Sequence, residues 1–437
     1  MSHALPRRRF LSSMVYPAAL VPVALSAPGL ARAIAAATEA GPAPAGSDPL
    51  TADEAFWRSI QQAFAVDRSL VNLNNGGISP TPRPVMDSLF RHWSYENELP
   101  AYTMWQVLEP QREAVRQQLG RFAGASSEEI ALTRNASEAL ETVQFGLSHT
   151  AGDEVLTTTQ DYPRMITAWT QRARRDGIVL RQFPLPVPAS DPARIVALFE
   201  ENITPKTKAI LVSHVIFLTG QVMPVREIAA LGRKHGIPVI VDGAHSFAHL
   251  DFTLKDLDCD YFGTSLHKWL TAPHGTGMLF VRKDRIPGLW PLMAADEKQD
   301  ADIRKFEEIG THPAAPYLAI ADALAFHQAI GQPRKLQRLI YLRDLWVEPL
   351  TAHPKIRLHT ALGPGLAGGI ALFQVEGLES GALVKRLWDK HRIFTAGIKH
   401  DDFEGIRVTP SVYTMPGEIA RFVDAVQGEA GVARREI

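Results

Sequence analysis

The sequence predicts an α/β fold, a mostly parallel sheet covered by helices on both faces, followed by a smaller α+β lobe. Three observations lead there. From about Leu70 onward, short apolar runs alternate with amphipathic stretches, which is how a sheet buried on both faces reads. Between the apolar runs 209–213 and 238–241 lies a helical stretch from Val225 to His235 that stops at Gly236. Strand, helix and strand in that order imply a parallel pair with a right-handed crossover. Beyond about Pro316 the texture changes to a long helical stretch through Ala319 to Leu350, an apolar run at 369–375 and a final helix after Pro416. With 437 residues, 46% of them hydrophobic and 21% charged, the chain can bury a large core and form more than one lobe.

Taken in order, the chain opens with Arg7-Arg8-Arg9-Phe10-Leu11 ahead of a small apolar stretch from Met14 to Ala27. This is the twin-arginine export pattern, so residues 1–33 are expected to be a signal peptide, recognised by the twin-arginine translocation machinery and cleaved at Ala31-Arg32-Ala33 or, as a second choice, at Ala35-Ala36-Ala37. Pro17, Pro22 and Pro28 interrupt the stretch, which falls short of the roughly 20 apolar residues that a stable membrane anchor needs. The expected destination is the periplasm, and export of a folded chain suits a protein that takes up a cofactor first. Residues 34–50, rich in Pro, Ala and Gly, read as a linker, and 51–70 as an N-terminal segment packing on the smaller lobe. A large domain over 71–315 carries the clearest strands, at 154–159, 209–213, 238–241, 261–263 and 277–281; a small domain fills 316–437.

Composition narrows the function. The 46 Lys and Arg balance 47 Asp and Glu, so a nucleic-acid partner is not expected. The single cysteine, Cys259, rules out an internal disulfide and a thiolate metal cluster. The segment 363–368 matches G-x-G-x-x-G, but an apolar strand-like run follows it where the dinucleotide fingerprint needs a helix. No G-x-S-x-G elbow is present, and His245 and His249, although four apart, lack a third ligand in the pattern, so no metal site is assigned.

The strongest chemical signal is a pair. Asp242 ends an apolar strand, and Lys268 follows 26 residues later in the segment TSLHKW (264–269). In an open parallel sheet ligands bind at the carboxyl ends of strands, so an acid placed there points into the site. An aspartate beside a pyridine nitrogen keeps it protonated, and a lysine amine forms a Schiff base with an aldehyde; together they describe a pyridoxal-5'-phosphate (PLP) site.

The segments VDGAHS (241–246) and SLHK (265–268) resemble those of class V aminotransferases, especially the isopenicillin N epimerase-like branch, over about Leu70 to Val426. The resemblance implies fold type I of the PLP-dependent transferases, with a mostly parallel seven-stranded sheet between helices and a smaller α+β C-terminal domain. It also implies roles. TRNASE (133–138) is similar to the phosphate-binding turn, giving Asn135, Ala136 and Ser137 to the cofactor phosphate. Tyr162 stands where relatives place a ring over the cofactor, and His214, His245, Ser265 and His267 join Lys268 and Asp242 around it. EIGTH (308–312) is similar to the segment whose threonine, here Thr311, reaches the phosphate of the neighbouring subunit's cofactor, which implies a homodimer with shared sites. Arg407, in GIRVTP (405–410), corresponds to the arginine that clamps the substrate α-carboxylate, a task suited to a planar guanidinium. NLNNGG (72–77) is similar to the family's entry segment, with Asn75 touching substrate.

These residues predict an enzyme that removes the α-proton of an amino acid or peptide-borne amino acid, with Lys268 as base and Asp242 as the ring's partner. Transamination is the expected outcome; epimerisation and β-elimination use the same residues. Desulfuration needs a loop cysteine, and Cys259 sits before a core strand. A binding protein on the same fold would have no need of Lys268. By the same resemblance, exported members of this branch include enzymes that modify the glutamate of a pyoverdine-type siderophore precursor.

Overall fold

A computed structural model describes residues 49–431; the expected signal peptide and the linker up to residue 48 lie outside the described residues. Helix α1 (Glu54–Gln62) starts where the Asp53 carboxylate accepts the Ala55 and Phe56 N–H groups at 3.0 and 3.2 Å. Its apolar face, Phe56, Trp57 and Ile60, packs with Phe64 against Phe326, Ile330, Val412 and Tyr413 from the C-terminal part of the chain. Strand β1 (Val71–Asn72) follows.

The main sheet has seven strands, β2 (Ile130–Thr133), β3 (Glu154–Thr158), β4 (Val179–Phe183), β5 (Thr207–Ser213), β6 (Val239–Asp242), β7 (Tyr261–Ser265) and β8 (Gly277–Val281), in the order β2-β8-β7-β6-β5-β3-β4. All neighbours are parallel except at β8, which runs against both β2 and β7. Every residue of β2, β3, β6, β7 and β8 is buried. Continuous burial is expected when helices cover both faces, and two separate apolar clusters pack there. Among the covering helices are α2 (Ala136–Gly146), α3 (Pro163–Asp176) and α4 (Val225–His235), the last closed by Gly236 at φ +67° in the left-handed region. Register sets Ser213 beside Asp242 and Asp242 beside Gly263, so the carboxyl ends of β5, β6 and β7 open at one edge.

Toward the C-terminus, the helical stretch expected across 319–350 is two helices, α5 (Ile320–Ile330) and α6 (Gln332–Thr351), because Gly331 takes φ +88° between them. A four-stranded antiparallel sheet follows, ordered β12-β13-β10-β9, where β9 is Ile356–Leu358, β10 Ala371–Val375, β12 Ala396–Lys399 and β13 Glu404–Val408. Strand β11 (Ile393–Phe394) pairs in parallel with β1, and helix α7 (Pro416–Ala430) ends the described chain. The pairing continues as Thr409 N–H donates to Leu73 O at 2.8 Å and Asn75 N–H to Thr409 O at 3.2 Å. Residues 71–75 therefore run along the smaller sheet, although the sequence counts them with the larger domain. That register carries the NLNNGG loop to Arg407. Among the described residues no helix is long and apolar enough to cross a membrane.

Candidate active site

Asp242 and Lys268 come close enough for their charges to interact because β6 and β7 are neighbours and Lys268 follows β7 directly. The Asp242 carboxylate is buried, and Oδ1 accepts the Ala244 N–H at 2.9 Å. Gly243 between them lies so close to the Phe262 ring that a Cβ would sit 1.9 Å from it, which restricts this position to glycine. Burial pushes the Asp242 carboxyl up to about 6, opposed by the Ala244 hydrogen bond and by Lys268. Lys268 Nζ lies 3.3 Å from His245 Nε2, and burial draws its ammonium down to about 8. A lysine so shifted has a far larger neutral fraction near neutral pH than an ordinary lysine, which is what a nucleophile or base needs. Burial holds the His245 imidazole well below its usual range, so it stays neutral beside Lys268.

The turn between β2 and α2 is tied to the same place. Asn135 caps α2, its Oδ1 accepting the Glu138 N–H at 2.9 Å, and the Ala136 N–H donates to Ser265 Oγ at 2.9 Å. A Cβ on Gly277 would come within 2.6 Å of the Asn135 backbone, so the cap rests directly on β8. Ser137 is half-buried in the first helical turn, where backbone N–H groups and the helix dipole favour an anion. His214 follows β5, donates its N–H to the Asp242 carbonyl at 2.9 Å and sets its ring edge on Phe252 at 4.7 Å. Burial lowers its imidazole to about 3, and Nδ1 is buried without a partner. His267, half-buried and lowered to about 4 by burial, also keeps an unpartnered Nδ1.

Arg407, on β13, is 6% exposed and comes to the site from the smaller sheet. Nη1 donates to the Phe217 carbonyl at 2.8 Å and Nη2 to Asn74 Oδ1 at 2.9 Å, while Nε is buried without a partner. Among the described residues no carboxylate pairs with it, and burial lowers it to about 10. The ring of Tyr162, at the start of α3, stands edge-on to Phe217 at 5.3 Å, so Phe217 bridges Tyr162 and Arg407. The charge of Arg407 acts on both Lys268 and His245.

Two expected residues fall outside this constellation. Asn75 is fully buried; its amide donates to Asn72 O at 3.0 Å and Thr409 O at 3.1 Å, and its Oδ1 accepts from Tyr413 and Asn72. Its hydrogen-bonding capacity is used within the fold, and Asn74, one position earlier, is the residue that reaches Arg407. Thr311 is exposed, in a surface hollow with Met104, Trp105, Arg112 and His312, and no contact joins it to Lys268 within one chain. His249 commits both ring nitrogens, Nδ1 to His245 O at 2.7 Å and Nε2 to the Gly369 N–H at 2.8 Å. Sequence reasoning missed Asp161, whose buried carboxylate accepts from Thr157, Thr158 and Ser213 and joins the loop of Tyr162 to β5. Its Q-D-Y-P setting carried no separate signal.

The model of the aminotransferase class-V family matches residues 71–397. The isopenicillin N epimerase of Streptomyces clavuligerus is 30% identical over 403 residues, covering 86% of this chain and 99% of that protein. A probable cysteine desulfurase of Halalkalibacterium halodurans is 28% identical, covering 70% of this chain and 78% of that protein. Among solved structures, the cystine C–S lyase C-DES, in complex with its product cysteine persulfide, superposes with a TM-score of 0.73 at 25% identity over 82% of this chain and 97% of that one. An apo cysteine desulfurase from Thermococcus onnurineus superposes at 0.74 and 21% identity over 85% and 97%, a likeness of fold. The fold is type I of the PLP-dependent enzymes, and the cofactor is pyridoxal 5'-phosphate. The site suits it: a buried acid, an amine without a carboxylate in contact, unpartnered ring nitrogens on His214, His245 and His267, and a helix N-terminus lie around one strand edge. On the match of the family model and the full-length similarity to the epimerase, the chain belongs to the class V aminotransferase family of PLP-dependent enzymes.

Proposed function

We propose that the protein works on the α-carbon of an amino acid, free or within a peptide, whose α-carboxylate is held by Arg407. One observation carries this reading: a buried guanidinium with an unpartnered Nε and no carboxylate, close enough to Lys268 for its charge to act there. A guanidinium buried without a counter-ion is costly, and a bidentate carboxylate supplies what it lacks. PLP, when bound, supplies an aldehyde for the amine and a ring that accepts electrons from the α-carbon. Asp242 would hold the proton on the pyridine nitrogen, the first turn of α2 with Asn135, Ala136 and Ser137 would receive the phosphate, and Tyr162 would border one side of the ring. Lys268 Nζ takes the α-proton and returns it. His245, held neutral by burial, accepts a hydrogen bond from Lys268 Nζ and orients it without competing for the proton.

Transfer of the amino group is our first reading, since Lys268 is the amine in place to move a proton between two carbons on its own side. Epimerisation is the second, supported by similarity across 99% of the S. clavuligerus epimerase. Desulfuration is not proposed: Cys259 is 2% exposed ahead of β7, and burial pushes its thiol far above the usual range. We further propose export to the periplasm by the twin-arginine pathway, on Arg7, Arg8 and Arg9, and a peptide-borne glutamate such as that of a siderophore precursor as substrate. Pairing of two chains is proposed on Thr311 and the exposed apolar residues Phe90, Trp93, Leu99, Tyr102 and Trp105, the last of which lines the same surface hollow as Thr311. The test is product analysis of the PLP-loaded protein with L- and D-amino acids and glutamyl peptides. A keto acid supports transfer and an inverted centre supports epimerisation. Unchanged substrates together with no exchange of the α-proton into D2O would overturn the proposal.

A further inference from the structure

Lys335 lies in the first turn of α6, is 4% exposed, and has no carboxylate within ion-pair distance among the described residues. Three features make it locally unfavourable. An ammonium is buried, it lacks a counter-ion, and it stands at the positive end of a helix dipole. Burial draws it down to about 7. Its hydrogen bonds explain the placement. Nζ donates to the carbonyl of Trp269, the residue after Lys268, and lies 3.3 Å from His327 Nδ1. His327 Nε2 is bonded in turn to Gln332 Oε1, and the Gln332 amide donates to the Leu250 carbonyl.

The turn that Lys335 grips is strained. Thr271 has φ +58°, a left-handed conformation that a β-branched residue adopts only when its surroundings impose it. Trp269 stacks on His249 at 3.8 Å and 12°, and His249 is anchored to His245 O and to the Gly369 N–H. Hydrogen bonds and one ring stack thus link α6, the turn after Lys268 and the turn carrying His245.

We propose that Lys335 is a positioning residue for Lys268, holding the Trp269 carbonyl so that the strained turn presents the Lys268 amine to His245 and the substrate. The inference rests on the reading of Lys268 given above. A residue retained for packing should stabilise the fold; a residue retained for position should cost stability and support function. Lys335→Met, close in volume and apolar, separates the two. Its melting temperature without cofactor is expected to equal or exceed that of the wild type, because an unpaired buried ammonium is removed. Amides of 266–272 exchange faster with deuterium, and turnover with PLP falls on the order of 100-fold through misplacement of the amine. Lys335→Gln, which keeps a donor for the Trp269 carbonyl, recovers most of the protection and turnover. A lower melting temperature for Lys335→Met with unchanged exchange at 266–272, or unchanged turnover, overturns the proposal. A wild type that takes up no PLP at Lys268 overturns the reading beneath it and with it the positioning role; the exchange data, taken on the protein alone, distinguish that case from failure of the clamp.

Discussion

Two buried groups of charge in this protein are built on opposite plans. Beneath β2, Glu307 accepts hydrogen bonds from Arg112 at 2.8 Å, from Arg116 and from the Leu132 N–H, and Arg116 and Arg304 both reach Glu113, whose carboxyl they hold down at about 2. At the carboxyl edge of the sheet, Arg407 and Lys335 are buried and Lys268 is half-buried, none with a carboxylate in contact among the described residues, and their ionisation is pushed toward the neutral form. In the first group each charge is answered inside the chain, so its role ends in stability. In the second the answer is missing, and a substrate carboxylate and a cofactor are what supply it. Buried, unanswered charge marks function here more sharply than buried charge alone.

Substitutions can break this contrast, and the largest effect is expected at the site. Lys268→Ala should lower turnover by roughly 10⁴-fold or more while leaving the melting temperature unchanged or higher, read by steady-state kinetics and thermal denaturation. Arg407→Met should raise KM for an α-amino acid about 100-fold, the value of losing a charged, paired hydrogen bond, again without loss of stability. Glu307→Gln should do the reverse, costing about 3 kcal/mol by removing the shared counter-charge of Arg112 and Arg116, which keep only the more exposed Glu109 and Glu113, with kcat of the folded fraction little changed. If Glu307→Gln lowers kcat more than stability, the two groups are not separate in role.

The smallest effect concerns pH. His214, His249 and His327 are lowered to about 3 by burial, so the unfolded chain binds protons that the native chain does not. Their contribution to stability is present above 6.5 and lost as pH falls, on the order of 1 kcal/mol per pH unit for each. Asp242, raised to about 6, has the opposite sign: its contribution is present below 3.8 and lost as pH rises through 6. The histidines outnumber it, so the melting temperature of the cofactor-free protein should fall from pH 7 to pH 5. In Asp242→Asn the fall should be steeper; an equal slope would mean that Asp242 titrates normally.

Much of this was legible in the chain. Asp242 and Lys268 announce themselves because strand-end chemistry is local in sequence, and Gly236 stops its helix through its own backbone freedom. Gly331 was harder, since a single glycine within a long helical pattern gives no φ, and only the structure shows +88°. Asn74 and Asn75 were not separable, because a one-residue choice of face depends on pairing with β11 and Thr409, more than 300 residues away. Lys335 was invisible for a related reason. Its meaning lies in the carbonyl of Trp269, which no pattern of side chains along a helix records.

The central claim is that Lys268 is the amine that receives the cofactor, and covalent trapping tests it most directly. The protein is loaded with PLP, reduced with borohydride, digested and mapped by mass spectrometry. The account predicts a single pyridoxyl adduct on Lys268, lost in Lys268→Ala. An adduct on Lys335 or a surface lysine in its place, or no adduct in a folded, loaded protein, would contradict it.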